Sequence, residues 1–189
     1  VSTAAYDGYR LINYYDDLNR LDSRRFSFKT STHTAYIDEQ FSFRTSDNRT
    51  DSRVTSHSFG TTLMWYEYDT SGNITKITDR AGNIRHEYTY DDLGRLKTEI
   101  NMEDGDQKTQ FVDGQKIEYT YGSSGDIVKR EYYNVQRRQN YLSEPINPVR
   151  TDNFGYTNSN WKNQCDSTYI NGVSSALTYD AIGNPLNYR

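Results

Sequence analysis

Tyr66–Ile74 reads Y-E-Y-D-T-S-G-N-I, Tyr88–Leu96 reads Y-T-Y-D-D-L-G-R-L, and Tyr119–Ile127 reads Y-T-Y-G-S-S-G-D-I. Leu177–Leu186, L-T-Y-D-A-I-G-N-P-L, and Asn13–Leu21, N-Y-Y-D-D-L-N-R-L with Asn19 in the place of glycine, are two imperfect copies of the same unit. A turn-only relative, D-R-A-G-N-I, occupies Asp79–Ile84. Self-similarity of this kind decides the fold before any single residue does, because each copy is one supersecondary unit that buries its apolar face only against its neighbours.

In D-x-x-G the aspartate suits the first position of a type I turn, where its carboxylate accepts backbone N–H bonds, and the glycine follows where positive φ is cheap. Asp16, Asp69, Asp79, Asp91 and Asp180 therefore read as turn residues, with Gly72, Gly82, Gly94, Gly125 and Gly183 closing the bends. Asn19 fits the same place, since asparagine tolerates the left-handed region better than most residues. Before the turn, Y-x-Y has period two and sets both rings on one face: Tyr66 with Tyr68, Tyr88 with Tyr90, Tyr119 with Tyr121, and Tyr179 alone in the last copy. After the turn, Ile or Leu resumes the strand.

The segments between turns, N-I-T-K-I-T, N-I-R-H-E-Y-T-Y and R-L-K-T-E-I-N, have ordinary strand lengths. In the second, Ile84, His86, Tyr88 and Tyr90 share a face, and Leu96, Thr98 and Ile100 are expected to do likewise in the third. Asp113-Gly114 and Asn171-Gly172 read as two-residue hairpin turns. Ser23–Thr62 reads as long exposed strands joined near Asp47–Ser52, and Tyr141–Arg150, with two of the three prolines, as a long loop. The expected fold is all-β, an antiparallel meander with one aromatic face and no helix longer than two turns. It forms a single array over 1–189: less regular Ser/Thr-rich strands at 1–62, the clearest repeats at 63–134, a long loop and strand at 135–160, and a terminal hairpin with a truncated repeat at 161–189.

Composition agrees. Leu, Ile, Val and Phe make 34 of the 189 residues, about 18%, and mean hydropathy is −1.00. Both point toward disorder, yet the net charge is only −4 and 18 Tyr, 7 Phe and 2 Trp supply 14% aromatics. Tyrosine takes over from leucine, which suits a thin sheet, because the ring buries apolar area while its hydroxyl stays hydrogen-bonded. There is no apolar run long enough for a membrane helix, no export signal in the stretch given, and no basic block of the kind that binds nucleic acid. One cysteine, Cys165, excludes an intramolecular disulfide.

The repeated Y-x-Y-D-x-x-G-x-(I/L) resembles the YD repeat of the RHS (rearrangement hot spot) family over most of the chain. N-S-N-W-K-N-Q at Asn158–Gln164, leading into L-T-Y-D-A-I-G-N-P-L, is similar to wall-associated and secreted RHS proteins of Gram-positive bacteria. The resemblance implies a secreted or cell-surface bacterial protein, a long polypeptide whose repeats form a β-strip that curves into a hollow shell, often around a C-terminal toxin released by self-cleavage. The cleavage core with its D-P-x-G segment is absent, so only the repeat positions carry over: Tyr68, Asp69 and Gly72; Tyr90, Asp91 and Gly94; Tyr121 and Gly125; Tyr179, Asp180 and Gly183. The chain also stops just after a turn, which reads as a fragment of a larger array.

No catalytic residue, metal site or cofactor is expected. Asp16-Asp17 and Asp91-Asp92 recur at one turn position of a repeat, whereas the carboxylate pair of a glycosidase is unique and held across a cleft. His33, His57 and His86 lack the spacing of a metal site. Met102–Gln107, M-E-D-G-D-Q, offers oxygen ligands but not the twelve-residue calcium loop, and reads as a solvated turn. Asn48-Arg49-Thr50 and Asn73-Ile74-Thr75 fit the glycosylation sequon, which matters only in a eukaryotic secretory route. The sequence thus predicts a structural segment whose partners are the remainder of its parent chain and an enclosed or displayed polypeptide, with exposed strand edges prone to self-association. The alternative is a carbohydrate-binding adhesion module that stacks wall or host glycan on Trp65 and Trp161.

Overall fold

The computed structural model describes residues 1–6, 8–29, 32–46 and 49–187. Asp47 and Asn48, where the sequence places a bend and one sequon, lie outside the described residues. The chain forms two compact units, Val1–Arg85 and His86–Arg189. The described residues contain no helix.

In the first unit, β1 (Ser2–Tyr6), β2 (Tyr9–Tyr15), β3 (Leu21–Lys29), β4 (Thr34–Ser46), β5 (Arg49–Phe59), β6 (Thr62–Tyr68) and β7 (Ile74–Asp79) pair antiparallel, each with the next in sequence. β8 (Ile84–Tyr90) runs from the end of this unit into the second. There β9 (Leu96–Met102), β10 (Val112–Tyr121) and β11 (Ile127–Arg138) continue the meander. β12 (Tyr141–Ser143) and β13 (Arg150–Gly155) both pair with β11, followed by β14 (Ser167–Ile170) and β15 (Val173–Ala176). The all-β antiparallel meander is the fold the repeats predict. The stretch read as a long loop opens with the short strand β12 and passes into β13 at Arg150.

Four repeat hairpins, those at Tyr15, Tyr68, Tyr90 and Tyr121, carry the same register shift. Tyr90 faces Leu96 while Thr89 faces Thr98, so Lys97 is an extra residue on β9. Thr75 opposite Glu67/Tyr68, Val128 opposite Thr120/Tyr121 and Asp22 opposite Tyr14/Tyr15 are its counterparts. Such a bulge turns the residues before and after it to opposite sides. Leu96 consequently lies under Tyr90, but Thr98 and Ile100 point to the other face, and Thr98 meets the Thr89 hydroxyl at 2.7 Å. The expected common face for Leu96, Thr98 and Ile100 is thereby corrected.

Among the described residues, the same flip places the buried apolar cluster on the face opposite the repeat tyrosines. Ile100 pairs with Glu87 and Lys116, and Met102 and Val135 pair with Gly114, on the side opposite Tyr88 and Tyr119. Ile100, Met102, Val112 and Val135 are buried there, with Tyr133 and Leu142 against them, each full burial being worth roughly 1.5–3 kcal/mol. The loop between β9 and β10 lies over this face. Its Gly105 abuts the Val112 methyls, Gln107 is buried, and the Gln107 carbonyl accepts the Gln139 N–H at 2.7 Å. Arg137, buried among them, is paired with Glu87. This unit therefore has two apolar faces where the sequence predicts one.

Asp113-Gly114 is not a turn but the interior of β10, opposite Gln136 and Val135. Glycine serves here for close approach: a Cβ at Gly114 would stand 2.6 Å from both the Asn101 carbonyl oxygen and the Met102 sulfur. Asn171-Gly172 does make the expected turn, with φ of 50° and 80° between the paired residues Ile170 and Val173.

Among the described residues, no apolar side chain of the first unit is fully buried. Its cohesion comes from rows of half-buried side chains, Leu11–Phe26–Ile37 and Phe41–His57–Met64. His57 stacks on Phe41 at 4.8 Å and reaches Glu39 at 2.8 Å, and the Arg20 guanidinium lies 4.1 Å above Phe43. Flat rings and guanidinium groups retain contact area without a second layer.

Candidate functional site

The repeat residues meet at the turns. Asp91 N–H donates to the Arg95 carbonyl and Gly94 N–H to the Asp91 carbonyl, both at 2.9 Å, forming a type I turn closed by a residue in the left-handed region, Gly94 at φ 75°. The Asp91 carboxylate is fully used: Oδ1 accepts the N–H groups of Leu93 and Arg95, and Oδ2 accepts Arg95 Nε at 2.7 Å. The turn at Asp16 repeats this with Arg20, with Asn19 at φ 61° in the glycine position. At Asp69, Asp79 and Asp180 the clamp is the side-chain amide of Asn73, Asn83 and Asn184, at 2.9, 3.1 and 2.9 Å. Gly72, Gly82 and Gly183 each donate N–H to the aspartate three residues earlier.

All five carboxyls are held below the usual range. The main cause is the Arg95 side chain for Asp91, the Arg20 N–H for Asp16, and the Asn73 and Asn184 amides for Asp69 and Asp180. For Asp79 burial pushes upward most, but Asn83 and Arg85 together outweigh it. A carboxylate ionised this firmly and saturated with donors is a poor proton donor or nucleophile.

The clamp residue after the glycine is a position that sequence reasoning missed. Its signal is present: the residue is Arg or Asn wherever the turn opens with Asp. The one turn that opens with Gly122 carries Asp126 there instead, and the backbone bonds from Gly122 to Asp126 and from Gly125 to Gly122 remain at 2.9 and 3.0 Å.

The tyrosines join one hairpin to another. Tyr121 donates its hydroxyl to the Leu96 carbonyl at 2.7 Å, Tyr68 to Val54 at 2.6 Å, and Tyr179 to Cys165 at 2.5 Å. Tyr156, not singled out in the sequence, makes the same bond to Ile127 at 3.1 Å. Arg95 also lies 4.3 Å over the Tyr121 ring, so one turn's clamp supports the next repeat's tyrosine. The first tyrosines are half-buried. Burial raises the phenol pKa of Tyr66 and Tyr88, and Tyr119 is raised further by donating to Glu99 at 2.9 Å. Tyr90 is half-buried on the same side.

Other candidates lie apart. His57 bonds Glu39, His86 bonds Asn101 at 2.7 Å, and His33 neighbours Thr32. Among the described residues, no three His, Cys, Asp or Glu side chains gather as a metal site, the Met102–Gln107 segment included. Asp152, wholly buried, is a site the sequence does not announce. Burial pushes its pKa up, but Arg150 at 2.8 and 2.9 Å, Tyr132 at 3.1 Å and Arg130 at 3.5 Å prevail and hold it low. Trp65 belongs to the first unit and Trp161 to the second. Trp65 stands on β6 between Ser56 and Thr78, on the face opposite Tyr66 and Tyr68. Trp161 lies against Gly183, where a Cβ would come within 2.6 Å of the indole ring.

Residues 68–107 match the RHS repeat family. No curated protein matches the chain. The crystal structure of TcdB2-TccC3-Cdc42 is similar at 14% identity and a TM-score of 0.48, with 96% of this chain and 12% of that chain covered. A structure of the Photorhabdus luminescens Tc holotoxin pore, with a mutation in TccC3, is similar at 14% identity and a TM-score of 0.46, with 94% and 12% covered. The chain thus spans about an eighth of those chains. The match covers two of the tyrosine turns and the Asp79 turn between them, so residues 68–107 carry the RHS repeat, and turns with the same clamps recur outside it at Asp16 and Asp180.

Proposed function

We propose that this segment is a patch of wall in a secreted or cell-surface bacterial protein, where it helps to enclose or display another polypeptide such as a C-terminal toxin. What supports this is how the motif residues are employed: the turn carboxylates saturate their own bends and the second tyrosines bond main-chain carbonyls of neighbouring hairpins. Its partners are then the remainder of the parent chain and the enclosed polypeptide. Limited proteolysis of the parent protein tests this. The segment following the repeats resists protease when attached to them and is digested when expressed alone; equal digestion in both contexts overturns the proposal.

A second possibility, glycan binding, draws on Trp65. It is partly exposed on a hydroxyl-rich face, and its indole N–H donates to nothing among the described residues. A flat ring flanked by small hydroxyls suits a sugar's apolar face and rim. Saturable binding on a glycan array that is lost in Trp65→Ala supports it, and binding unchanged by that substitution excludes this site.

A further inference from the structure

The two faces of the first unit differ in kind. Its apolar rows, through Phe26 and Phe41, lie on one face. Across the other face the registers carry a contiguous row: Tyr14 on β2, Ser23 on β3, Gln40 on β4, Ser58 on β5 and Leu63 on β6. Two residues further along the strands, Ser42, Ser56, Trp65 and Thr78 form the next row. Tyr14 and Trp65, 37 and 39% exposed, stand at opposite ends of this strip, with serine and glutamine side chains between them. Four strand spacings of about 4.8 Å lie between β2 and β6, so the two rings are set roughly 20 Å apart. The tyrosine end holds a cavity of about 170 Å³ lined by Tyr14, Ser23, Arg24, Arg25, Asp38 and Gln40.

The charges that flank the strip are paired off. Arg25 clasps Asp38 through two bonds at 2.6 and 2.8 Å, with its guanidinium 4.7 Å over the Tyr36 ring, and Lys76 meets Glu67 at 3.0 Å. Among the described residues, the side chains of Gln40, Ser42, Ser56, Ser58 and Thr78 make no hydrogen bond to one another or to a neighbour. From this we infer that the serine-lined strip between Tyr14 and Trp65 is a trough for an uncharged polysaccharide chain laid across the strands. The two aromatic planes receive the apolar faces of sugar rings. The floor between them is small and polar, so ring hydroxyls reach it directly or through bridging water without any charge. An anionic polymer meets Arg24 and Arg25 already paired, with Glu39 at 2.7 Å and Asp38 at 2.6 Å. A protein partner would need apolar anchors that the floor does not offer. The length of the strip selects a chain of sugars over a single one. The inference rests on the glycan reading proposed for Trp65 and adds the second anchor, the floor and the class of ligand.

Affinity electrophoresis of the whole chain tests it, in native gels containing laminarin, xylan or galactomannan, with heparin and polygalacturonate as anionic controls. At least one neutral polymer should retard wild type equally at low and high salt, and the anionic ones should not. Tyr14→Ala, Trp65→Ala and Ser58→Ile, the last filling the floor with a good strand former, should each weaken that binding about tenfold while keeping the far-UV spectrum of wild type. Tyr169→Ala, at an exposed tyrosine of the second unit, should bind like wild type. The monosaccharide of the bound polymer should not compete, whereas its longer oligosaccharides should. Retardation by none of the neutral polymers overturns the inference, as does salt-sensitive retardation by the anionic ones alone. Weakening confined to Trp65→Ala overturns the trough and leaves the Trp65 reading standing, and binding unchanged in all three variants overturns both.

Discussion

Replacing Gly114 by alanine adds a methyl group 2.6 Å from the Asn101 carbonyl oxygen and the Met102 sulfur, inside a strand paired on both sides. The carbonyl belongs to β9 and cannot retreat unless β9 and β10 part, while Met102 is held in the buried cluster. Overpacking of this kind costs about 1–3 kcal/mol. Against it stands a gain of about 0.4–1 kcal/mol, because alanine restricts the unfolded chain. The net loss is then about 1–2 kcal/mol. With a urea dependence of about 2 kcal/mol/M, the unfolding midpoint falls by roughly 0.5–1 M at unchanged slope. Gly114→Asn separates the strand from the turn suggested by Asp113-Gly114. Asparagine suits a left-handed turn position and would leave a hairpin almost unaffected, but within β10 it sets a larger polar group against Met102 and lowers the midpoint further than alanine. Urea unfolding followed by far-UV circular dichroism decides. An asparagine variant within about 0.2 M of wild type refutes the close-approach role assigned to Gly114.

A methyl group added at Gly94 would meet nothing within 4 Å, and φ there is 75°, so Gly94→Ala isolates backbone strain. It should cost about 1 kcal/mol by the same measurement, whereas Asn19→Gly should be neutral or stabilising. Tyr121→Phe removes the hydroxyl bonded to the Leu96 carbonyl and should cost about 1 kcal/mol, with faster amide exchange in β8 and β9; unchanged exchange would show the hydroxyl to be idle. Asp152 and the turn aspartates have folded pKa values depressed below the ordinary carboxylate value. Their stabilisation is present above the unfolded value near 4 and is lost as pH falls through the folded ones. The urea midpoint should therefore fall steeply below about pH 4; a flat profile down to about pH 2.5 contradicts these clamps.

What can be seen in the sequence is what is local. A turn needs only neighbouring residues, so D-x-x-G announces itself, and asparagine at position 19 substitutes for glycine by the same backbone logic. The clamp from Arg95 or Asn73 is local as well, and is visible once the residue after the glycine is compared among copies. The bulges at Thr75, Lys97 and Val128 depend on how a strand meets its partner, and alternation along one strand cannot reveal them. For that reason the sequence leaves the buried cluster around Met102 without a face and groups Leu96 with Ile100. Asp113-Gly114 misleads because glycine answers two demands, positive φ and close approach, which one dipeptide does not distinguish. Asp152 draws its partners from β11 and from its own strand, a convergence that exists only after folding. Of the candidate site, the turn and tyrosine positions are legible, while Tyr156 is hidden by the absence of a following D-x-x-G.

The tyrosine hydroxyls take main-chain oxygens, and every residue type supplies one. A hairpin seated in this way makes little demand on the identity of the side chains in the unit before it. Units can accordingly be duplicated, dropped or exchanged by recombination within a gene while the seam between them is preserved, so the length of such an array is free to drift even where its chemistry is not.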